Sequence, residues 1–109
     1  IADGLSAVRP GVFPFLHLQR YLDDIVLIGE ENIANSFCIL RDRAKIVGEP
    51  AGVVATAAFL ADKVDTSLAT VAVVTGGNVT TETTQLLTEM ADQWSSCGEH
   101  PEDECKEDY

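Results

Sequence analysis

Residues 71–80 read VAVVTGGNVT, and this segment decides how the chain is expected to fold. Four apolar residues lead into the turn sequence TGGN, and a helical pattern follows. A short apolar run that ends in turn residues predicts a strand covered on both faces. Glycines at the end of such a strand let the backbone turn tightly or approach a ligand closely. The segment therefore predicts either a plain strand-to-helix turn or one wall of a ligand site.

The patterns before this segment alternate between helix and strand. The β-branched run at 25–28 predicts a second strand, and four helices are expected, at about 14–22, 30–45, 53–63 and 80–94. This alternation predicts an α/β fold with a parallel sheet. A central strand needs neighbours on both sides, so two strands indicate part of a larger sheet or completion by another chain.

Two of the predicted helices carry a clear apolar pattern. The helix at 53–63 is apolar nearly all round, which predicts burial on most of its sides. The last helix has one inner stripe, formed by Leu86, Leu87, Met90, Ala91 and Trp94.

Size and charge exclude several classes of protein. The chain has 109 residues, which fits one small domain, and its net charge is −11, from 18 acidic and 7 basic residues. Such a charge argues against nucleic acid and anionic membranes as partners. No apolar run reaches the length of a membrane span, and the first residues do not resemble a signal peptide.

The chain is expected to divide into a domain at 1–94 and an acidic, flexible tail at 95–109. Cys97 and Cys105 flank His100 in the tail, but no fourth ligand is evident, so no metal site is predicted. Cys38 lies in an apolar helical pattern and is predicted to be a buried small hydrophobe. Three cysteines without a CxxC motif indicate a reducing compartment, and a cytoplasmic location is expected.

Several polar side chains could serve either the fold or a functional site. Glu49 precedes Pro50 and an apolar helix, so it either caps that helix or contacts a ligand at its start. His17 fits an amphipathic surface better than a general base. Lys45 and Lys63 lie at helix ends, and neither resembles a desolvated Schiff-base lysine.

Three motifs taken together resemble the C-terminal part of threonine dehydratases and serine racemases. They are IADGLSAVRPG at 1–11, the segment at 23–60 that contains GEPAG, and VAVVTGGNV at 71–79. These are pyridoxal-phosphate enzymes of the tryptophan synthase β type, known as fold type II. The resemblance implies a partial three-layer parallel sheet, the C-terminal portion of the large cofactor-binding domain.

The resemblance also implies cofactor-binding residues, and these are Gly4, Glu49, Thr75, Gly76 and Asn78. Gly4 follows Asp3 in the family's ADG motif and would lie near the cofactor ring. Glu49 would lie near cofactor and substrate. Thr75 stands where the family usually has serine or cysteine, and its hydroxyl would contact the ring nitrogen. The extra methyl group makes Thr75 stiffer than serine at χ1.

No catalytic residue is expected in this chain. In the family, the Schiff-base lysine, the phosphate loop and the usual metal ligands precede ADG. The resemblance thus implies a segment of a lyase that converts threonine or serine to a 2-oxo acid and ammonia. The isolated chain should be inactive, should bind the cofactor only with the missing N-terminal portion or a complementary chain, and should form a homo-oligomer when whole. The alternatives are an amino-acid racemase of the same family, or a non-enzymatic acidic α/β interaction or regulatory module.

Overall fold

The computed structural model describes residues 1–97, excluding the side chain of Cys97. Four α-helices form its framework, with two 3₁₀ turns and one π-helical segment between them. The helices are α1 (Val12–Tyr21), α2 (Glu30–Ile39), α3 (Val54–Leu60) and α4 (Thr81–Cys97). The 3₁₀ turns are Asp3–Leu5 and Pro50–Val53, and the π-helical segment is Leu40–Ala44.

The core lies where α2 packs against α3 and α4. Its buried hydrophobic side chains come from all three helices and from the turn before α3: Ile33, Ala34, Phe37, Val53, Ala57, Leu87 and Ala91. Ser36 is also buried, and its hydroxyl donates a long hydrogen bond of 3.4 Å to the Val53 carbonyl. Helix α1 packs against none of the other helices in residues 1–97.

The predicted α/β fold with a partial three-layer parallel sheet is wrong. Residues 1–97 contain no β-strand, and segments 25–28 and 71–74 have no regular secondary structure and no ladder of hydrogen bonds. Leu27 and Val71 are 88% and 87% exposed. A strand exists only through hydrogen bonds to a neighbouring strand, and the described residues supply none for either segment. The apolar sequence of these segments therefore does not produce a sheet here.

The helix predictions are confirmed in position, with different burial. Helix α3 buries Ala57 and Ala58 but leaves Phe59 and Leu60 each 42% exposed, so it is covered on one side only. In α4, Leu87 and Ala91 are buried, whereas Leu86 and Trp94 are about half exposed (48% and 52%). The inner stripe of α4 is therefore narrower than its sequence predicts, because only α2 packs closely against this helix.

Helix α2 continues into the π-helical segment and then stops at Lys45. Lys45 has φ 59°, a left-handed conformation that is costly for residues other than glycine. Its ammonium group donates to the Asp42 carbonyl at 2.7 Å, which satisfies one of the free carbonyls at the helix end. Cations at this end also suit the helix dipole, as the sequence predicts. Arg41 donates to Thr88 Oγ1 at 2.8 Å and so links α2 to α4.

The predicted tail at 95–109 is only partly described. Helix α4 continues through the predicted boundary at Trp94 as far as Cys97, the last residue that the structure describes. His100, Cys105 and the acidic residues after Cys97 lie outside the described residues. Within residues 1–97, no group of histidine, cysteine and carboxylate side chains is arranged to hold a metal ion. None of the helices in this range is long and apolar enough to span a membrane.

Helix α4 is capped by Thr80, whose hydroxyl accepts a hydrogen bond from the Thr83 amide at 3.2 Å. Glu82 lies in the first turn of the same helix. Hydrogen bonds to its carboxylate from its own backbone amide and from the Thr80 hydroxyl lower the pKa of this carboxyl group. We expect Thr80→Ala to reduce the free energy of unfolding by about 1 kcal/mol, because a free helix amide loses its acceptor. Thr80→Ser keeps the hydroxyl, so its free energy of unfolding should differ from that of the wild type by only a few tenths of a kcal/mol. Urea unfolding followed by circular dichroism measures both, and equal losses for the two variants would contradict the capping role.

Candidate cofactor-binding site

Three segments that carry the sequence motifs meet at one place in the fold. They are the Asp3–Leu5 turn, the Pro50–Val53 turn with Glu49 before it, and the loop at Thr75–Gly76. The Glu49 amide faces the carbonyls of Thr75 and Gly76 at 3.3 and 3.0 Å, and the Thr75 amide donates to the Gly52 carbonyl at 3.2 Å. Backbone hydrogen bonds therefore hold the second and third motifs together.

Gly52 is buried and lies directly against Thr75. A Cβ atom at position 52 would overlap the Thr75 carbonyl group and lie 3.0 Å from Thr75 Oγ1. The overlapping carbonyl belongs to the backbone, so it cannot rotate away as a side chain can. The absence of a side chain at Gly52 thus allows the backbone and hydroxyl of Thr75 to lie against the turn.

The carboxylate of Glu49 lies between two glycines. Gly76 has φ 65°, and a Cβ atom there would lie 2.6 Å from Glu49 Oε2. A Cβ atom at Gly4 would lie 3.7 Å from Glu49 Oε1 and 3.0 Å from the Ala51 methyl group. Gly76 therefore needs to be glycine for two reasons, its left-handed backbone and the adjacent carboxylate.

Both interpretations of Glu49 are compatible with this geometry. Glu49 occupies the capping position of the Pro50–Val53 turn, and its carbonyl accepts from the amides of Gly52 and Val53 at 2.8 and 3.1 Å. Its side chain makes no capping hydrogen bond and remains free to face the loop at Gly76. Pro50 is the first residue of the turn, as its fixed φ favours.

The predicted site residues differ in accessibility. Glu49 is half-buried, whereas Gly4, Thr75, Gly76 and Asn78 are exposed. The Asn78 side chain makes no hydrogen bond within residues 1–97, and the structure does not join it to the cluster around Glu49. The site is therefore one open wall, which carries a hydroxyl at Thr75, a half-buried carboxylate at Glu49 and exposed glycine backbones at Gly4 and Gly76.

Gly52 and Gly48 are the positions that sequence reasoning missed as part of this site. A Cβ atom at Gly48 would lie 2.8 Å from Val53 Cγ1 and 2.9 Å from Val74 Cγ1, so this glycine also brings the two segments together. The available signal was the spacing GEPAG, in which a glycine follows the glutamate by three residues. Such a glycine lies one turn along and faces the same neighbour.

The remaining candidate side chains take structural roles. His17 lies exposed on α1, with Nδ1 2.9 Å from the Phe13 carbonyl oxygen, in agreement with its interpretation as a surface residue. Cys38 is half-buried against the core rather than fully buried, and this burial raises the pKa of its thiol. The ammonium group of Lys45 is engaged with its own helix end, at the Asp42 carbonyl.

Curated proteins similar to this chain are named threonine dehydratases or threonine ammonia-lyases. The chain is homologous to a segment of the threonine dehydratases, as its motifs predict. It is 37% identical over 95 residues to the catabolic L-threonine dehydratase TdcB of Escherichia coli K12. This matched segment covers 84% of the chain. It is 40% identical over 80 residues to the L-threonine ammonia-lyase of Thermotoga maritima and 39% over 90 residues to that of Geobacter sulfurreducens.

The chain spans less than a third of the length of these relatives. The matched segment makes up 29% of the Escherichia coli protein, 20% of the Thermotoga protein and 22% of the Geobacter protein. No family model matches the chain. No solved structure matches it either.

Proposed function

We propose that this chain is a segment of a pyridoxal-phosphate-dependent ammonia-lyase that acts on a β-hydroxy amino acid, threonine or serine. The observation that supports the proposal best is the convergence of the three motifs around Glu49. The segments that carry Gly4, Glu49 and Thr75–Gly76 are far apart in sequence. Gly4 and Gly76 nevertheless lie beside the Glu49 side chain, and Thr75 lies against Gly52. A chain that only needed a tight turn at 75–78 would not need a carboxylate and a third glycine at the same place.

The residues of this wall fit a flat heteroaromatic cofactor in several respects. Positions without a Cβ atom let the backbone lie close to a ring, and the Thr75 hydroxyl can donate to or accept from a ring nitrogen. Gly4 and Glu49 would shape the pocket beside it, and Asn78 would contribute from the following loop. Pyridoxal phosphate, when bound, supplies the electron sink that eases removal of the α-proton.

The nature of the Thr75 side chain bears on the chemistry. A neutral hydroxyl does not stabilise a protonated ring nitrogen as a carboxylate would, so the electron sink stays modest. A modest sink suits loss of the β-hydroxyl and hydrolysis of the product to a 2-oxo acid and ammonia. Racemisation at the α-carbon is also compatible with it, and a racemase is therefore the competing enzymatic proposal.

The proposal places the covalent chemistry outside this chain. A lysine to hold the cofactor would come from the missing N-terminal portion or a complementary chain, and the isolated chain would be inactive. The whole protein would be a cytoplasmic homo-oligomer that binds a small amino acid. An acidic interaction or regulatory module without catalytic activity is the alternative from a different class of protein.

The test uses the matched segment of this chain in place of the corresponding segment of Escherichia coli TdcB. We expect the purified chimera to release ammonia from threonine or serine and the isolated 109-residue chain to release none. A chimera that folds and binds pyridoxal phosphate but racemises serine without releasing ammonia would favour the racemase. A folded chimera that binds no pyridoxal phosphate would refute the proposal and favour the non-enzymatic module.

Thr75 provides a sharper prediction in the same chimera. We expect Thr75→Ala to weaken the affinity for pyridoxal phosphate about 3- to 10-fold, because it removes one hydrogen bond worth about 0.5–1.5 kcal/mol. Thr75→Ser keeps the hydroxyl and should stay within about twofold of wild type. Fluorescence titration with pyridoxal phosphate measures both, and equal affinities for Ala and Ser would show that the hydroxyl does not contact the cofactor.

A further inference from the structure

Helix α1 is apolar on more than one side, and no part of the chain between residues 1 and 97 buries it. No residue of α1 is buried, and the helix contacts no other helix in residues 1–97. Phe13 and Tyr21 are 77% and 68% exposed, and Phe15 is 46% exposed. A helix that is apolar nearly all round is normally buried on most of its sides.

The exposed apolar area around α1 is continuous with the segment that follows. A groove beside the helix is lined by Phe15, Leu18, Leu22 and Ile25, so the apolar surface extends from α1 to residue 25. We call Phe13, Phe15, Leu18, Tyr21, Leu22 and Ile25 the α1 surface. The three aromatic side chains alone expose roughly 300–500 Å², at about 150–250 Å² for a complete one. Together with Leu18, Leu22 and Ile25, the exposed apolar area of the α1 surface, summed over its sides, is at least comparable with the largest apolar patch of a typical monomer, about 300–600 Å².

We propose that the α1 surface is the docking surface for the rest of a longer polypeptide, the part that corresponds to the unmatched length of the relatives. This inference rests on the proposed function. More than two thirds of each relative lies outside the matched segment. That length is ample to enclose a ten-residue helix from several sides.

The distribution of the apolar side chains favours this occupant over a second copy of the chain. Phe13 and Phe15 are two residues apart on a helix, so they point to nearly opposite sides. A second copy related by twofold symmetry covers one side of a helix, whereas an enclosing polypeptide covers both.

The experiment compares the full 109-residue chain with the TdcB chimera described above by hydroxyl-radical footprinting. We expect oxidation of Phe13 and Tyr21 to fall at least about fivefold in the chimera, since side chains of this exposure become buried. The protection should persist when the chimera is diluted until it dissociates into subunits. Unchanged oxidation would overturn the proposal, and so would protection that disappears on dissociation, because a second copy would then be the cover.

A second experiment applies where the chimera does not fold. The tagged 109-residue chain is coexpressed with TdcB that lacks its matched segment, and co-purification is measured. Phe13→Asp should abolish co-purification, whereas Leu68→Asp should not, although Leu68 is exposed to the same 77%. Equal effects of the two variants, or no soluble chain in either arrangement, would overturn the proposal.

These outcomes are separate from the fate of the proposed function. Protection of the α1 surface without binding of pyridoxal phosphate supports the docking surface and refutes the cofactor site. Binding of pyridoxal phosphate without protection does the reverse.

Discussion

Replacing Gly52 with alanine is expected to destabilise the chain by about 3 kcal/mol or more, the largest effect of any single methyl group added here. The new Cβ atom would overlap the Thr75 carbonyl group, which belongs to the backbone. The junction between residues 49–53 and 75–76 must then open. Opening it weakens the hydrogen bonds from the Thr75 amide to Gly52 and from the Glu49 amide to Gly76. Urea unfolding followed by circular dichroism measures the loss.

Gly77→Ala is the matched control, because it makes the same chemical change in the same loop. A Cβ atom at Gly77 would meet only the Val47 carbonyl oxygen, at 3.7 Å, which is an ordinary contact. We expect the free energy of unfolding to change by less than about 1 kcal/mol. A slight stabilisation would follow if the loop backbone tolerates alanine, because alanine has fewer conformations than glycine in the unfolded chain. Similar losses for the two variants would show that Gly52 does not lie against Thr75.

The effect on the site should follow the effect on the fold. In the TdcB chimera, Gly52→Ala moves the Thr75 hydroxyl and should weaken the affinity for pyridoxal phosphate at least as much as Thr75→Ala. Gly77→Ala should leave the affinity within about threefold, because position 77 has room for a methyl group. Gly52 would then be a positioning residue that acts through Thr75.

Replacing Leu87 with alanine is expected to lower the free energy of unfolding by about 2–5 kcal/mol, the second large effect. Leu87 is completely buried, in the core cluster formed where α4 packs on α2. The core has few members, so the cavity left by alanine removes a large share of the packing between these helices. Since small domains are stable by only about 5–15 kcal/mol, the variant should unfold at a much lower urea concentration.

Leu86→Ala provides the comparison, because it makes the same substitution one position earlier in α4. Leu86 is 48% exposed, so its truncation should cost less than about 1 kcal/mol. Leucine and alanine are both good helix formers, and propensity does not separate the two variants. A larger loss at position 86 than at position 87 would mean that α4 presents a different face to α2.

Much of the candidate site could be predicted from the sequence, because its members occur in motifs. The order of the segments at residues 1–11, 23–60 and 71–79 identified Gly4, Glu49, Thr75 and Gly76 before their geometry was known. The structure places Gly4 and Gly76 beside the Glu49 side chain and Thr75 against Gly52, whereas it does not join Asn78 to them. Gly52 was overlooked because a glycine in a turn has many explanations, and only a close approach to Thr75 distinguishes this one.

The helices were also determined by the sequence itself. A helix satisfies its backbone hydrogen bonds within one segment, so capping residues and apolar spacing are enough to locate it. Thr80 before α4 and the glutamates at the start of α2 are such local signals.

Only the tertiary structure decided which apolar residues are buried and whether extended segments form a sheet. Residues 25–28 and 71–74 have the composition of buried strands, yet most of their side chains are exposed and no strand pairs with them in residues 1–97. A strand depends on hydrogen bonds to a different segment, and burial depends on what covers a face, so neither property belongs to the segment alone. The sequence by itself therefore determined the helices and the similarity to a segment of the threonine dehydratases, while the neighbours available in space determined the core.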